Sequence, residues 1–339
     1  MFVLFDAFAG YGGAHFALKK AKIPHKAVGF SEIDNSAINI YKLNHGNIKN
    51  YGDITLIKPK DLPSFNFFTG GFPCQPFSQA GKRLGVNHTR GTLFHDILRI
   101  CRSKKPDNIL LENVQGLLTK RHEKTLKIIV KSLKKIGYHV HVELLNSSDY
   151  GIPQSRKRVW IYATIKKIPE NFSLAPKKTS LFNTLPHFLD KNPTIDLYKS
   201  KEQIKKLIKR YKVDFNVHKR SCVDLYNFKV KNDGLCVTIT EPHHNTLRIA
   251  EPPRNGNFRV RKLSVREHYK LMGFKSVSKF GLKSEIKVGD STYTEACARA
   301  GNGWDINAST VIEIFINNNL QTTLGPAGAG VTEIAVYDF

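Results

Sequence analysis

Four stretches carry residue types suited to chemistry. Gly70-Gly71-Phe72-Pro73-Cys74-Gln75-Pro76-Phe77-Ser78 sets a thiol between two prolines directly after an apolar run, which holds the sulfur on a stiff loop at a strand end. A thiol so placed is a candidate nucleophile, although an isolated cysteine is more often a small buried apolar residue. Glu112-Asn113-Val114 closes a second apolar run, where a carboxyl is a candidate general acid or, alone, a surface residue or helix cap. Phe5-Asp6-Ala7-Phe8-Ala9-Gly10-Tyr11-Gly12-Gly13 reads as the loop of a nucleotide-type cofactor site. Its glycines allow a tight turn and close approach of a ligand, and Glu32, about twenty residues on, can accept ribose hydroxyls. The spacing Gly10-x-Gly12-Gly13 departs from G-x-G-x-x-G, and a glycine turn alone can be merely structural; Glu32 and Asp53 downstream strengthen the cofactor reading.

Elements must hold these residues in place. Apolar runs at 2–5 and 27–30 alternate with helical patterns at 14–20 and 36–43, the rhythm of βαβ units in a parallel sheet. Further runs at 65–69, 108–111 and 159–164 read as buried strands with polar residues beside them. In open α/β sheets the ligand crevice lies beyond the carboxyl ends of the strands, so separated motifs can converge there. From about Lys166 to Arg261 the rhythm gives way to a basic, loop-rich stretch broken by Pro and Gly, as in Glu251-Pro252-Pro253-Arg254-Asn255-Gly256, which reads as an inserted second domain. Helical patterns follow at 264–272, capped by Ser264 and stopped by Gly273, and at 307–316. Residues 324–339 are rich in Gly and Ala and lack basic side chains. The expected division is 1–175, catalytic and cofactor-binding; 176–289, a second domain that includes the stretch from Arg261 to Phe274; 290–320, returning to the first domain; and 321–339, a tail without an assigned role.

At 339 residues and 41% hydrophobic content the chain can bury a sizeable core. The excess of 53 Lys and Arg over 28 Asp and Glu, a net charge of +25, favours a polyanionic partner. Cys74, Cys101, Cys222, Cys236 and Cys297 lie far apart without a C-x-x-C pair, which suggests neither a disulfide framework nor a metal site. With no targeting core after Met1 and no membrane-length apolar run, the expectation is a soluble, cytoplasmic protein without a membrane.

The glycine loop, Pro73-Cys74-Gln75, Glu112-Asn113-Val114 and Gln154-Ser155-Arg156-Lys157-Arg158 resemble, in order and spacing, the motifs of cytosine-5 DNA methyltransferases of restriction-modification type. The resemblance extends to Gly52-Asp53-Ile54, Arg90-Gly91-Thr92-Leu93-Phe94, the stretch from Arg261 through Phe274 with its Leu271-Met272-Gly273-Phe274, and Gly301-Asn302. It implies an α/β fold: a Rossmann-like S-adenosylmethionine-dependent methyltransferase domain with a smaller target-recognition domain, here the basic insertion. It also implies Cys74 as nucleophile toward cytosine carbon 6, Glu112 as the acid at ring nitrogen 3, and Arg156 and Arg158 as catalytic guanidiniums or phosphate contacts, with Arg158 favoured for catalysis. For S-adenosyl-L-methionine, with S-adenosyl-L-homocysteine as product and no metal, the resemblance gives Phe8, Gly10, Tyr11, Gly13, Glu32, Ile33, Asp53, Ile54, Pro73, Leu93 and Asn302. Gln75, Ser78 and the pair Thr246-Leu247 become DNA contacts, although Thr184-Leu185 is a second such pair. The implied partner is double-stranded DNA, met by a monomer, with a restriction endonuclease of the same site as a further partner in a prokaryotic or virus-infected cell.

Gly301-Asn302-Gly303-Trp304 departs from the family's Gly-Asn-Ser-Val, and Ser155 and Lys157 depart from its arginine motif. Two rival readings share the motifs. An RNA cytosine-5 methyltransferase would carry a Cys-Phe-Thr signature that is absent, and a catalytically silent DNA-binding protein would have lost residues such as Cys74 and Glu112 that are present. A nicotinamide dehydrogenase leaves Pro73-Cys74-Gln75 and the basic surplus unexplained.

Overall fold

A computed structural model describes residues 1–73, 93–170, 172–174, 184–240, 247–281 and 284–310, together with 312 and 316. The chain divides into two compact units. One comprises 1–145, 157–177 and 308–339, the other 146–156 and 178–307.

The first unit is built on a sheet of six strands: β1 (Phe2–Ala7), β2 (His25–Ser31), β3 (Phe67–Gly71), β4 (Asn108–Val114), β5 (His139–Asn146) and β7 (Lys157–Thr164), in the order β2-β1-β3-β4-β7-β5. A two-residue strand, β6 (Gln154–Ser155), precedes β7 and belongs to the second unit. The pairings β1/β2, β1/β3 and β3/β4 are parallel and β4/β7 is antiparallel. Central strands of such a sheet are covered on both faces, so they read as unbroken apolar runs; β1 and β3 accordingly bury nearly every residue. Their cover includes α3 (Leu93–Lys104) and α4 (Glu123–Lys135), following α1 (Gly13–Lys20) and α2 (Asn35–His45). In α4, Leu126, Ile129, Val130 and Leu133 fall three or four apart, one helical face, and all are buried.

Strand order reverses between β1 and β3, since β2 follows β1 on one side and β3 lies on the other. At such a switch point the loops leaving adjacent strands diverge and open a crevice at their carboxyl ends. The register brings Ala7 opposite Ser31 and Gly70, and Gly71 opposite Glu112, so the glycine loop, Glu32, the Pro73 loop and Glu112 all leave the same end of the sheet.

The second unit corrects one expectation. The stretch read as loop-rich contains a four-stranded sheet of β8 (Ser221–Asp224), β9 (Lys229–Lys231), β11 (Leu247–Arg254) and β12 (Asn257–Arg261), in the antiparallel order β12-β11-β8-β9. Asn255-Gly256, read as a breaker, is the tip of the β11–β12 hairpin; both residues have positive φ, +50° and +69°, the geometry that a tight hairpin turn requires. Pro252 and Pro253 fall where the β11/β12 register shifts, so the missing N–H groups interrupt a ladder that is already irregular. β10 (Cys236–Val237) pairs with β6, and β13 (Val277–Ser278) with β14 (Ile286–Lys287). The helices are α5 (Leu185–Phe188), α6 (Lys201–Tyr211), α7 (Val265–Lys270) and α8 (Tyr293–Asn302). Ser264 caps α7 as expected and forms a capping box with Glu267, and Gly273 has φ +95°.

Arg261 sits fully buried in this unit. Its Nη1 and Nη2 donate to Glu267 at 2.8 and 2.9 Å and its Nε to Glu251 at 2.9 Å. Among the described residues no helix is long and apolar enough to cross a membrane.

Candidate active site

The glycine loop turns immediately past β1. Phe8 and Gly10 adopt positive φ, and at Gly12, φ +84°, a Cβ would lie 2.4 Å from His45 Nε2, so only glycine lets the loop rest on α2. The loop is tied to the next strand by Glu32, whose Oε2 accepts from the Gly10 N–H at 2.9 Å while Oε1 accepts from Ile33 and Asp34 N–H at 2.8 and 3.0 Å. Asn50 completes the tie: its amide donates to the Glu32 carbonyl at 2.9 Å, and its Oδ1 accepts from Glu32 and Gly52 N–H. Ser31 Oγ donates to the Gly52 carbonyl at 2.6 Å, which fixes the start of Gly52-Asp53-Ile54. Asn50 carried no motif signal; a lone polar residue before a turn looks like any loop asparagine.

Asp6, within the quoted loop but without an assigned role, is buried beneath it and accepts from Thr69 Oγ1 at 2.7 Å. Its second oxygen meets no hydrogen-bond donor among the described residues. Burial pushes its carboxyl up to about 8, the Thr69 hydrogen bond opposing and the Glu32 charge adding.

At the next two strand ends Glu112 and Arg158 form an ion pair, Nε to Oε1 at 2.7 Å, with side chains only 12% and 16% exposed. They lie diagonally across β4 and β7, where Glu112 faces Trp160 and Val114 faces Arg158. Asn113, pointing to the opposite face, is buried and donates its amide to the Phe72 carbonyl at 2.9 Å. The strand that carries Glu112 thus anchors the chain two residues before Cys74. Cys74 itself, with Gln75, Ser78 and Thr246, lies outside the described residues. Cys101, Cys222, Cys236 and Cys297 are buried thiols, and burial raises the pKa of Cys101, Cys236 and Cys297.

The remaining expected residues separate. Tyr11, Gly13 and Ile54 are buried in the first unit, Ile33 is 73% exposed, Asp53 accepts from Thr55 N–H, Pro73 is exposed and Leu93 opens α3. Arg156, Asn302 and Leu247 belong to the second unit. Arg156 is buried there, its Nη1 donating to the Ile239 carbonyl at 3.1 Å and its Nη2 to the Gly301 and Gly303 carbonyls at 3.1 and 2.8 Å. Gln154 bridges the Leu271 carbonyl and the Ile239 N–H. Asn302 is exposed at the end of α8, and Trp304 is 7% exposed. Leu247 is buried at the start of β11, whereas the alternative Thr184-Leu185 opens α5.

A parallel-rich sheet with a glycine loop and a strand-end carboxylate at its switch point is the α/β arrangement of a nucleotide-type cofactor site. The fold is shared with Dnmt2 of S. pombe, TM-score 0.70 at 21% identity over 94% of this chain and 99% of that one, and with EhMeth of Entamoeba histolytica, TM-score 0.69 at 20% identity over 94% and 99%. The model of the C-5 cytosine-specific DNA methylase family matches residues 2–297, and the chain belongs to that family. Type II methyltransferase M1.ScrFI of Lactococcus lactis subsp. cremoris is 42% identical over 57% of this chain and 50% of its own length; M.NlaIV of Neisseria lactamica is 40% identical over 61% and 50%. The chain spans about half the length of these curated relatives.

Proposed function

We propose that the protein is a sequence-specific DNA (cytosine-5-)-methyltransferase. The observation that carries the reading is the Glu112–Arg158 pair at 2.7 Å at the sheet's end, on the strand whose Asn113 anchors the Phe72 carbonyl before Pro73-Cys74.

Cytosine carbon 5 is a weak nucleophile, and a thiolate added at carbon 6 makes it enamine-like, which splits one difficult step into two. Cys74 is the nucleophile. As its sulfur bonds carbon 6, the ring electrons shift toward nitrogen 3, where Glu112 delivers a proton. Arg158 orients Glu112 and contacts the cytosine carbonyl oxygen. Carbon 5 then takes up the methyl; loss of its proton to a base, departure of the Cys74 thiolate and return of the nitrogen 3 proton to Glu112 restore the ring. The target base leaves the helix to present its ring face, at a cost of a few kcal/mol that phosphate contacts offset.

S-Adenosyl-L-methionine supplies an electrophilic methyl on a sulfonium and leaves as S-adenosyl-L-homocysteine. The residues present fit it. A carboxylate offers about four acceptor positions, and Glu32 uses three on backbone N–H groups, which leaves Oε2 able to accept a ribose hydroxyl. Asp53 and Ile54 receive the adenine, Phe8, Gly10, Tyr11, Gly13, Ile33, Pro73 and Leu93 wall the pocket, and Asn302 completes it. Arg156, committed to backbone carbonyls, acts as a positioning residue.

Residues 176–289 form the target-recognition domain, with Thr246-Leu247, Gln75 and Ser78 toward the base. The substrate is double-stranded DNA, met by a monomer in the cytoplasm, and the type II relatives support a restriction endonuclease of the same specificity as companion.

The test incubates wild type and Cys74→Ser with labelled S-adenosyl-L-methionine and mixed-sequence DNA and maps cytosine methylation base by base. Transfer to carbon 5 within one short sequence by wild type alone is expected; transfer to RNA only, or none, overturns the reading.

A further inference from the structure

The turn between β8 and β9 is built unlike an ordinary surface turn. Asp224, buried at the end of β8, accepts with Oδ1 from the Tyr226 and Asn227 N–H groups at 3.0 and 3.2 Å and with Oδ2 from the Asn227 amide at 2.6 Å. Phe228 holds a left-handed φ of +55°, and its ring rests on Tyr211 at the end of α6, centroids 5.9 Å apart. A carboxylate, an aromatic anchor and a conformation unusual for a non-glycine residue together fix the turn. What it presents is the Tyr226 ring, 77% exposed, on a backbone already ordered before any partner arrives.

Tyr226 and Asn227 form one wall of a concavity of about 420 Å³ whose other lining includes Lys229, Lys231, Ser155 and Leu247. Ser155 belongs to the arginine motif, and Leu247 is the described half of the Thr-Leu pair. The Asp224 charge is turned inward on its own turn and Lys231 is paired with Asp233 at 2.8 Å, which leaves exposed Lys229 as the unpaired cation among the described residues of the lining. A second concavity, of about 500 Å³, shares Lys229 and carries Lys212, His218 and Lys219 together with Asp214. A rigid exposed tyrosine beside a cation is the chemistry that meets the edge of a base pair and the phosphate next to it: the ring and its hydroxyl offer an apolar face and a hydrogen bond to a base edge in a groove, and lysine supplies a point charge. An open depression on a chain of net charge +25 suits a duplex better than a small ligand.

We propose that this turn is a DNA-reading element of the target-recognition unit, in which Tyr226 contacts bases of the recognised sequence and Lys229 the adjoining phosphate. The inference rests on the DNA methyltransferase reading and names residues that set its specificity.

The experiment uses the full chain with Tyr226→Ala, Tyr226→Phe and Lys229→Gln. It measures Kd for a duplex carrying the mapped site, or mixed-sequence duplex if none is mapped, across a salt series, alongside the base-by-base methylation map. Tyr226→Ala should raise Kd about tenfold, increase methylation at near-matching sites relative to the true site, and leave the salt slope unchanged. Tyr226→Phe should restore both. Lys229→Gln should weaken all duplexes alike and reduce the salt slope by about one. Unchanged affinity and site map for Tyr226→Ala, with wild type active, overturns this inference alone. Should wild type bind the duplex without methylating it, the enzyme reading fails while the Tyr226 affinities still decide the turn; failure of wild type to bind duplex DNA removes both.

Discussion

Two clusters of opposite charge, one in each unit, use the same groups for different ends. In the second unit Arg261 is wholly buried between Glu251 and Glu267, bidentate to one and bonded to the other, while Glu251 also takes Arg259 and Tyr198. At the end of the first unit's sheet Glu112 and Arg158 share an Nε–Oε1 contact, with side chains partly open. Groups enclosed and fully satisfied lock an architecture. A pair at the edge of a cleft keeps hydrogen-bonding capacity for something that arrives. The same division runs through one short motif: Arg156 is spent on three carbonyls inside its unit, whereas Arg158, two residues on, reaches Glu112, the proposed acid.

The comparison breaks most sharply at Glu112. Glu112→Gln should lower kcat by about 10²- to 10⁴-fold, the usual weight of a general acid, with a melting temperature close to wild type; an unchanged single-turnover rate would place the acid elsewhere. Arg261→Met should do the converse. It removes the guanidinium from buried Glu267 and one of the partners of Glu251, and breaking such a pair costs about 3–5 kcal/mol, so calorimetry should find a large loss of stability while the folded fraction turns over normally. A catalytic defect in the folded fraction would blur the distinction.

A gentler test concerns the histidines under the glycine loop. His15 stacks on His45 with centroids 4.1 Å apart, and His25 meets His15 edge-on at 4.8 Å. Burial first, then the charges of Lys19 and His25, lower His15 to about 3; burial lowers His25 and His45 as well. A histidine held neutral in the fold binds its proton more readily when unfolded. Its contribution is therefore complete above the ordinary value of 6.5 and is lost as pH falls from there toward about 3. Asp6 works with the opposite sign, its burial weighing against the fold as pH rises from 3.8 toward about 8. The readout is therefore the difference between wild type and His15→Leu: their melting temperatures should converge, or reverse, below pH 6.5, and curves that stay parallel would refute the assignment.

Much of the first unit was legible. The runs at 2–5 and 27–30 became β1 and β2, the patterns at 14–20 and 36–43 became α1 and α2, and the strand-end positions of Glu32, Gly71 and Glu112 followed from the apolar runs before them. Buried parallel strands announce themselves because both faces are apolar. The second unit was harder to read. Most of its strands are short, β11 includes two prolines and β12 buries an arginine, so no apolar–polar alternation long enough to recognise survives in 221–261. The Asn255-Gly256 hairpin signal was present, but beside Pro252-Pro253 it looked like one more break.

The sequence by itself determined which groups can react: a thiol between prolines, a carboxyl and two guanidiniums at strand ends, a glycine turn with an acidic residue after it. Those are properties of residue types and of short-range spacing, and a chain carries them before it folds. Only the tertiary structure decided which groups meet. Arg156 and Arg158 look equivalent in Gln154-Ser155-Arg156-Lys157-Arg158, yet one is enclosed by carbonyls from residues 239, 301 and 303 and the other faces Glu112 across two strands. Asn50 and Asn113, ordinary loop and strand residues in the sequence, became the ties for Glu32 and the Phe72 carbonyl. Partners of a buried polar group are set by backbone brought close from far along the chain, and local pattern carries no record of that proximity.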